Sequence, residues 1–356
     1  MFQKKTIVVI GAGASHEAKL PTGDLLKKII ADKFNFKFNY VSYAGGGDEI
    51  ILNALRLIAN KQLTRVNYFD SLIEAAIRIR DGMPLAISID NFIDAHQGDV
   101  ALEKCGKLAI VKSVLEAEKQ SLLFNDEPYK NKHIDFNDLE ETWFISFFRL
   151  LTENCKASQL QERFLSIELI IFNYDRCIEH FLYHSLHTYY GLSFQESAKL
   201  VQEIKIFHPY GTVGGLPWDS NSKHKVDFGG SVGADQLIEL AEQIKTFSEG
   251  TDPISSDVST IRKSLSECNL IMFLGFAFHR LNLELIQPED QSINGNRNDL
   301  KIYGTAYGFS TSDCEIISTE LNHIFKCDRL VKSVHLGINL KCAELFKEYW
   351  RSLSLS

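Results

Sequence analysis

Short apolar runs rich in Ile, Val and Leu recur along the chain and alternate with longer stretches of helical period. The runs that we predict as strands are residues 6–10, 169–172, 205–207, 270–274 and 301–303, with a further candidate at 333–336. Helical segments separate most of these runs, as in sequential βα units. The pattern predicts an α/β fold that is Rossmann-like, with a mostly parallel sheet.

A long helical segment interrupts this alternation after the first strand and the helix that follows it. From about residue 33 to residue 130 the apolar positions recur at helical spacing, with a turn at 44–48. A further helix at about 139–151 carries several aromatic residues, and we expect it to cover one face of the sheet. We therefore predict a Rossmann-like core of residues 1–32 and 160–356, and a large helical insertion or subdomain of residues 33–159.

The composition is that of an ordinary soluble globular protein. Of the 356 residues, 45% are hydrophobic and 24% are charged, and the formal net charge of -8 argues against direct nucleic-acid binding by this chain alone. No apolar stretch approaches the ~20 residues that span a bilayer. The seven cysteines form no Cys-x-x-Cys pair, so we predict reduced, mostly buried thiols in a cytoplasmic protein and no zinc ribbon.

The first predicted strand runs directly into Gly11, Ala12, Gly13, Ala14 and Ser15. Glycines in such a turn allow close approach, and its backbone N–H groups can bind the pyrophosphate of a dinucleotide. The Ser15 hydroxyl would then bind phosphate or, alternatively, cap the following helix. The third glycine of hydride-transferring enzymes is missing from this segment. A purely structural turn remains the alternative.

Polar side chains follow the next two strands of the predicted sheet. Asn173 and Asp175 come after the second strand, and His208 comes after the third. Open α/β sheets bind ligands at the carboxyl ends of their strands, where a neutral imidazole can accept a proton from water or a ribose hydroxyl. Taken singly, Asn and Asp are common in turns and a histidine is often structural. Together with the first turn, these residues predict attack on a dinucleotide's glycosidic bond.

A cluster on the following helical segment, Glu179, His180, His184 and His187, raises the alternative of a metal site. The rest of that segment is apolar, so we interpret these histidines as a solvated surface and predict no metal. The sequence also lacks the Gly-x-Ser-x-Gly and Gly-x-x-x-x-Gly-Lys-Ser/Thr signatures of hydrolases and P-loop proteins.

Taken in order, these segments resemble the sirtuin superfamily, and specifically the sirtuin-like NAD hydrolases of bacterial antiphage defence. Residues 11–15 with 20–22 resemble its Gly-Ala-Gly-x-Ser…Pro loop, residues 173–175 its Asn-x-Asp element and residues 208–211 its His-Gly element. Residues 273–278 with Asn282 resemble the later loop that closes on the nucleotide, and residues 88–92 resemble an Ile-Asp-x-Phe signature of the bacterial members. The resemblance extends to about residue 310.

The departures from the family are informative. Protein deacetylases of the superfamily carry a zinc ribbon of paired Cys-x-x-Cys motifs, which this chain lacks. Thr22 and Gly23 replace the Phe-Arg that follows their proline loop, and Ala277 stands where a serine is usual. The resemblance therefore implies an NAD+ glycohydrolase that uses water as the acceptor, with NAD as its substrate and without zinc.

The resemblance also implies roles for individual residues. His208 would be the general base, Asn173 would orient the attacking water or the ribose, and Asp175 would hold the nicotinamide carboxamide. The residues implied to bind the nucleotide are Gly11, Ala12, Gly13, Ser15, Thr22, Asp175, Gly275, Phe276 and Asn282.

Alternatives in other classes remain. In one alternative, the chain is a catalytically weak scaffold subunit that senses NAD or ADP-ribose. In another, it is a protein deacylase. NADP is a further candidate nucleotide. The family couples such domains to sensors, which implies a homo-oligomer and a separate partner chain, with a HerA-type hexameric ATPase as the first choice. We expect the helical insertion and a C-terminal helix around residues 340–349 to form the contact surfaces.

Overall fold

In the computed structural model, the chain is described over residues 4–38, 43–61, 67–124, 134–252, 257–289, 297, 299–327 and 333–355. The strands in these ranges are β1 (Thr6–Ile10), β2 (Lys37–Phe38), β3 (Tyr43–Gly45), β4 (Ile167–Ile171), β5 (Lys205–Phe207), β6 (Leu270–Leu274), β7 (Lys301–Ala306) and β8 (Val334–Ile338). Each predicted run falls on a strand, and β4 begins and ends slightly earlier than the sequence pattern indicates.

Six of these strands form one parallel sheet in the order β5-β4-β1-β6-β7-β8. Numbered along the chain, those six strands follow the order 3-2-1-4-5-6, which is the doubly wound Rossmann arrangement. The predicted α/β fold with a parallel sheet is confirmed. In such a sheet the ligand crevice lies at the carboxyl ends of the first and fourth strands, here β1 and β6.

Helices cover both faces of the sheet. They are α1 (Ala12–His16), α2 (Gly23–Lys33), α3 (Glu49–Lys61), α4 (Tyr68–Gly82), α5 (Ile89–Ala95), α6 (Val100–Gln120), α7 (Trp143–Thr152), α8 (Leu160–Leu165), α9 (Cys177–Tyr190), α10 (Phe194–Glu203), α11 (Ala234–Ala241), α12 (Phe247–Thr251), α13 (Val258–Glu267), α14 (Arg280–Ile286), α15 (Thr311–Ile324) and α16 (Cys342–Ser354). No helix in the described part of the chain is long and apolar enough to cross a membrane.

The side chains on the two faces of β1 pack in two different hydrophobic cores. Ile7 and Val9 pack in a core with residues of α3, α4 and α6, which we call the insertion-side core. Val8 and Ile10 pack in the opposite core with residues of α7, α9 and α16. A strand that is covered on both faces needs a continuous apolar run, which explains its sequence. The expectation that the aromatic helix α7 covers one sheet face is confirmed.

The helical insertion is built mainly from α3 to α6 and lies directly on the sheet. Its apolar positions Ile51, Leu55 and Leu72 are fully buried in the insertion-side core. The expected continuous helical pattern is wrong at one place, because β2 and β3 form a short antiparallel pair. The turn predicted at 44–48 contains three glycines with positive φ, which ends β3 there. Residues 125–130, the end of the segment predicted to be helical, lie outside the described ranges.

The cysteines behave as small apolar residues. All seven are free thiols; six are buried and Cys155 is half-buried. The predicted packing role is confirmed.

Glu17 ties the first turn of the chain to two distant helices. Its Oε2 accepts the backbone N–H of Trp143 at 2.7 Å, and its Oε1 accepts that of Ala343 at 3.1 Å. These donors belong to the first turns of α7 and α16, whose N–H groups have no partner inside the helix. Burial raises the pKa of the Glu17 carboxyl, and the backbone donors oppose that shift.

Candidate functional site

The turns that follow β1 and β6 touch each other through their backbones. The Gly11 N–H donates to the Leu274 carbonyl at 2.9 Å, and the Gly13 N–H donates to the Gly275 carbonyl at 3.0 Å. A Cβ on Gly11 would lie 2.5 Å from the Gly275 carbonyl oxygen. Gly275 has φ +56°, and a Cβ there would lie 2.0 Å from the Ala14 nitrogen. These positions require glycine because the two turns are in direct contact.

This contact changes the expected role of the first turn. The N–H groups of Gly11 and Gly13, which we predicted to face an anion, are already bonded to carbonyl oxygens. The helix that follows, α1, has only 5 residues and so contributes little dipole. At the rim of the turn, Ala12 and Thr22 are half-buried, and Thr22 stands in extended backbone before α2.

Ser15, Asn173 and Asp175 meet at the ends of β1 and β4. The Asn173 Nδ2 donates to the Ser15 Oγ at 2.8 Å, and the nearby Ser15 hydroxyl favours the charged form of the Asp175 carboxylate. Asp175 Oδ1 also accepts the backbone N–H of Cys177, the first residue of α9, at 3.1 Å. All these side chains are buried. Ser15 lies inside α1, so the alternative that it caps this helix is wrong.

Burial raises the pKa of the Asp175 carboxyl, while its bonds to Cys177 and Ser15 act in the opposite sense. A buried carboxylate with these donors is a fixed acceptor, suited to hold an amide N–H of a ligand.

His208 is held by a tight turn that follows β5. The Gly211 N–H donates to the His208 carbonyl at 3.0 Å, with Pro209 at the second position of the turn. Gly211 has φ +74°, and a Cβ there would lie 1.9 Å from the Gln243 carbonyl oxygen. The turn therefore depends on glycine, and it sets the direction of the imidazole.

Both ring nitrogens of His208 have oxygen neighbours. Nδ1 lies 3.3 Å from the Asn173 carbonyl oxygen, and Nε2 lies 2.7 Å from Glu179 Oε1. Burial disfavours the charged ring, but the charge and hydrogen bond of Glu179 outweigh it, so the pKa of His208 lies above its usual value. The predicted pair Asn173 and His208 is thus brought together, along with a carboxylate that was not predicted.

The helical insertion reaches this site through α5. Tyr174 stands between Asn173 and Asp175 in the sequence, and its hydroxyl donates to the Asp90 carboxylate of α5. Burial raises the pKa of Asp90 to about 6. Asp90 belongs to residues 88–92, whose resemblance to a bacterial signature was noted above; Ser88 Oγ caps α5 by accepting the Asn91 N–H at 3.0 Å.

The loop after β6 offers fewer side chains to a ligand than the sequence indicated. The Phe276 side chain is buried against the rings of Phe172 at 5.1 Å and Phe278 at 5.2 Å, so only its backbone is left for a ligand. Ala277 is exposed. Asn282 on α14 accepts the Tyr210 hydroxyl at 2.6 Å, which connects this side of the site to the His208 turn.

A cavity of about 600 Å³ opens beside His208 on the side of the edge strand β5. Glu179, Thr212, Leu216 and Trp218 line it together with His208. No sequence pattern predicted this cavity, because the segment 212–222 that forms one wall has no regular periodicity.

The histidines on α9 are not a solvated surface. His180 stacks on Phe228 at 4.1 Å and His187 stacks on Phe194 at 4.0 Å, both nearly parallel. Burial lowers the pKa of His180 well below its usual value. The expectation of a solvated face was wrong because Phe194 of the next helix and the distant Phe228 pack on it. In the described ranges no group of three or more His, Cys, Asp or Glu is arranged to hold a metal ion.

A buried ion pair fixes the start of α9 and was also missed. Arg176 and Glu118 of α6 are paired at 2.5 Å, with side chains 3% and 0% exposed. Arg176 further donates to the Val226 carbonyl at 2.7 Å. Pairing between distant segments leaves no periodic trace in the sequence.

For Glu179 a weak signal existed, since it lies in the first turn of the helix that directly follows Asp175.

Searches with the sequence give no matching protein-family model and no significantly similar curated protein.

Proposed function

We propose that this chain is an NAD+ glycohydrolase, which cleaves the bond between nicotinamide and ribose to give nicotinamide and ADP-ribose. The observation that supports this best is the contact chain from Ser15 through Asn173 to His208 at the ends of β1, β4 and β5. Asp175, which follows β4 with Asn173, adds a carboxylate to this amide and imidazole, and in this proposal one nucleotide contacts all three. The resemblance to sirtuin-like NAD hydrolases supports the same reaction.

The reaction requires mainly that the substrate and the attacking water are held in position. The pyridinium is a good leaving group, so the transition state resembles an oxocarbenium ion and needs fixed dipoles more than a strong acid. In this proposal Asp175 holds the carboxamide of nicotinamide, and Asn173 orients water or the ribose. His208 accepts the proton of the attacking water as the new bond to C1′ forms.

The test is chromatographic measurement of NAD and nicotinamide with the purified chain. We expect NAD loss in the wild type and a decrease of about 10²–10⁴-fold in His208→Ala and Asn173→Ala, the usual range for a positioned base. His323→Ala is the matched control, because His323 is exposed on α15. Full activity in both site variants would show that His208 and Asn173 do not take part in the reaction.

One observation favours the second candidate, a nucleotide-sensing or scaffold subunit without turnover. The glycine N–H groups of the first turn are bonded to Leu274 and Gly275, so the turn offers fewer donors to a pyrophosphate. Calorimetric titration would then detect binding of NAD or ADP-ribose, while nicotinamide release stays at background. NADP in the same assay separates the two dinucleotides.

By resemblance alone, we further propose that the protein acts in antiphage defence in the cytoplasm, as a homo-oligomer regulated by a partner such as a HerA-type hexameric ATPase. An enzyme that depletes NAD has to be silent until needed. Light scattering and co-purification with the product of the neighbouring gene test this. A monomer that is fully active alone contradicts it.

A further inference from the structure

We propose that Glu179 is the positioning residue of His208: it fixes a proton on Nε2 and leaves Nδ1, on the Asn173 side, as the basic atom. This rests on the proposed function, in which His208 is the base. Glu179 itself touches neither the nucleotide nor the attacking water in this account. It acts through the imidazole.

The two contacts of the ring are unequal. The Nε2 to Glu179 distance of 2.7 Å is that of a charge-assisted hydrogen bond, whereas the Nδ1 to Asn173 carbonyl distance of 3.3 Å is long. In the neutral ring only one nitrogen carries a proton, and the shorter, charged contact retains it. With the proton on Nε2, Nδ1 and the Asn173 carbonyl oxygen are both acceptors and make no hydrogen bond, so a substrate hydroxyl or water can donate to Nδ1.

The environment of Glu179 supports this role. Both Glu179 and His208 side chains are 13% exposed, and Glu179 Oε2 is buried without a hydrogen-bond partner among the described residues. A buried carboxylate is costly unless it is paired, and the imidazole is the group that it faces. Glu179 also lies in the first turn of α9, a helix of 14 residues, where a negative charge is favoured.

The charged and titratable groups near the ring are Glu179 from α9, Asp175 from the end of β4, and Arg176, Glu203, Lys205 and Asp219 lining the adjoining cavity. Arg176 is paired with Glu118, and Lys205 with Glu168 at 3.2 Å. Within the described residues, Glu179 is the charged group at hydrogen-bond distance from His208.

In the proposed hydrolysis, His208 takes up the proton that the attacking water releases. A water O–H proton moves to Nδ1, and the electron pair of that bond forms the bond to C1′. The electron pair of the broken glycosidic bond neutralises the pyridinium, which leaves as nicotinamide. The imidazolium that results carries protons on both nitrogens and is stabilised by the Glu179 carboxylate, as in other acid–base dyads.

The first experiment follows the His208 ring by NMR in the full chain, without any nucleotide. His208→Gln assigns its signal among the 11 histidines. We expect Glu179→Gln to lower the titration midpoint of His208 and Glu203→Gln to leave it unchanged. Glu203 is the matched control, since it lines the same cavity and has a buried carboxylate oxygen without a partner in the described ranges. An unchanged midpoint in Glu179→Gln overturns the proposal.

The second experiment measures NAD loss against pH. Glu179→Gln should lower kcat by about 10²–10⁴-fold with little change in KM, and move the acid limb of the pH profile to lower pH. Glu179→Asp, which keeps the charge, should recover part of kcat. Equal kcat in Glu179→Gln and wild type overturns the role of Glu179. A wild type without NAD loss refutes the proposed function instead, and the NMR titration still decides the pairing.

Discussion

The Asn173 amide donates to the Ser15 hydroxyl at 2.8 Å, which joins the turn after β1 to the turn after β4. Without this bond, a buried amide loses its acceptor and its orientation. We expect Ser15→Ala to lower stability by about 1–3 kcal/mol and, if the chain hydrolyses NAD, to reduce nicotinamide release about tenfold. Urea unfolding and the nicotinamide assay measure the two effects.

Ser113→Ala is the control for this prediction. Ser113 is equally buried, and its hydroxyl has no hydrogen-bond partner within the described residues. Its loss should be close to neutral. If both serine variants unfold at the same urea concentration as wild type, the Ser15 bond contributes nothing measurable.

The contact between the first turn and Gly275 makes a second prediction. Gly275→Ala combines φ +56° with a Cβ 2.0 Å from the Ala14 nitrogen, so the two turns have to separate. We expect a loss of at least ~1–3 kcal/mol, seen as a lower melting temperature. In Gly233→Ala, a Cβ meets nothing within 4 Å and φ is ordinary, so this variant should melt like wild type. A normal melting temperature for Gly275→Ala would contradict the contact.

The buried pair of Arg176 and Glu118 makes a third prediction. Arg176→Leu leaves a fully buried carboxylate without its partner, which costs about 3–5 kcal/mol. Arg149→Leu removes an exposed pair with Glu140 at 3.7 Å, which is worth about 0–1 kcal/mol. Denaturant unfolding of both variants checks the contrast, and similar losses would mean that the pair at the start of α9 is no stronger than a surface one.

Asp90 gives a pH dependence of stability. Its pKa is raised from 3.8 to about 6 in the folded protein, so its contribution is fully present below about pH 4 and is lost as the pH rises to about 6. In Asp90→Asn this term is absent. The difference in unfolding free energy between wild type and Asp90→Asn should therefore fall across that interval and then stay constant.

Urea titrations at a series of pH values measure this difference. Asp138→Asn, at an exposed position, serves as the comparison. A difference that does not vary between pH 4 and 6 would show that Asp90 titrates like an exposed aspartate.

The central strands β1, β4 and β6 were predictable because they are covered on both faces. Such strands must be apolar throughout, so β1 and β6 stand out without reference to the rest of the chain. The positions of Asn173 and His208 at strand ends then followed from topology. Their proximity follows from the order β5-β4-β1, which the sequence pattern did not predict and which brings His208 Nδ1 to 3.3 Å from the Asn173 carbonyl oxygen.

Partners from distant segments were not predictable in this way. Glu179 was grouped with the histidines of its helix, because the sequence does not tell which side of α9 faces β5. Asp90 lies in the insertion, and only the packing of α5 brings it to Tyr174. The glycines of the first turn were recognised, but a pattern of glycines does not reveal whether their N–H groups face a ligand or another turn.

Glu17 connects segments of the chain that are synthesised at different times. Its carboxylate accepts the N–H groups of residues 143 and 343, and the ribosome adds the second of these long after the first. A nascent chain that already contains β1, β4 and β5 therefore still lacks one support of the segment after Ser15. Partly synthesised molecules should hold that segment more loosely than finished ones.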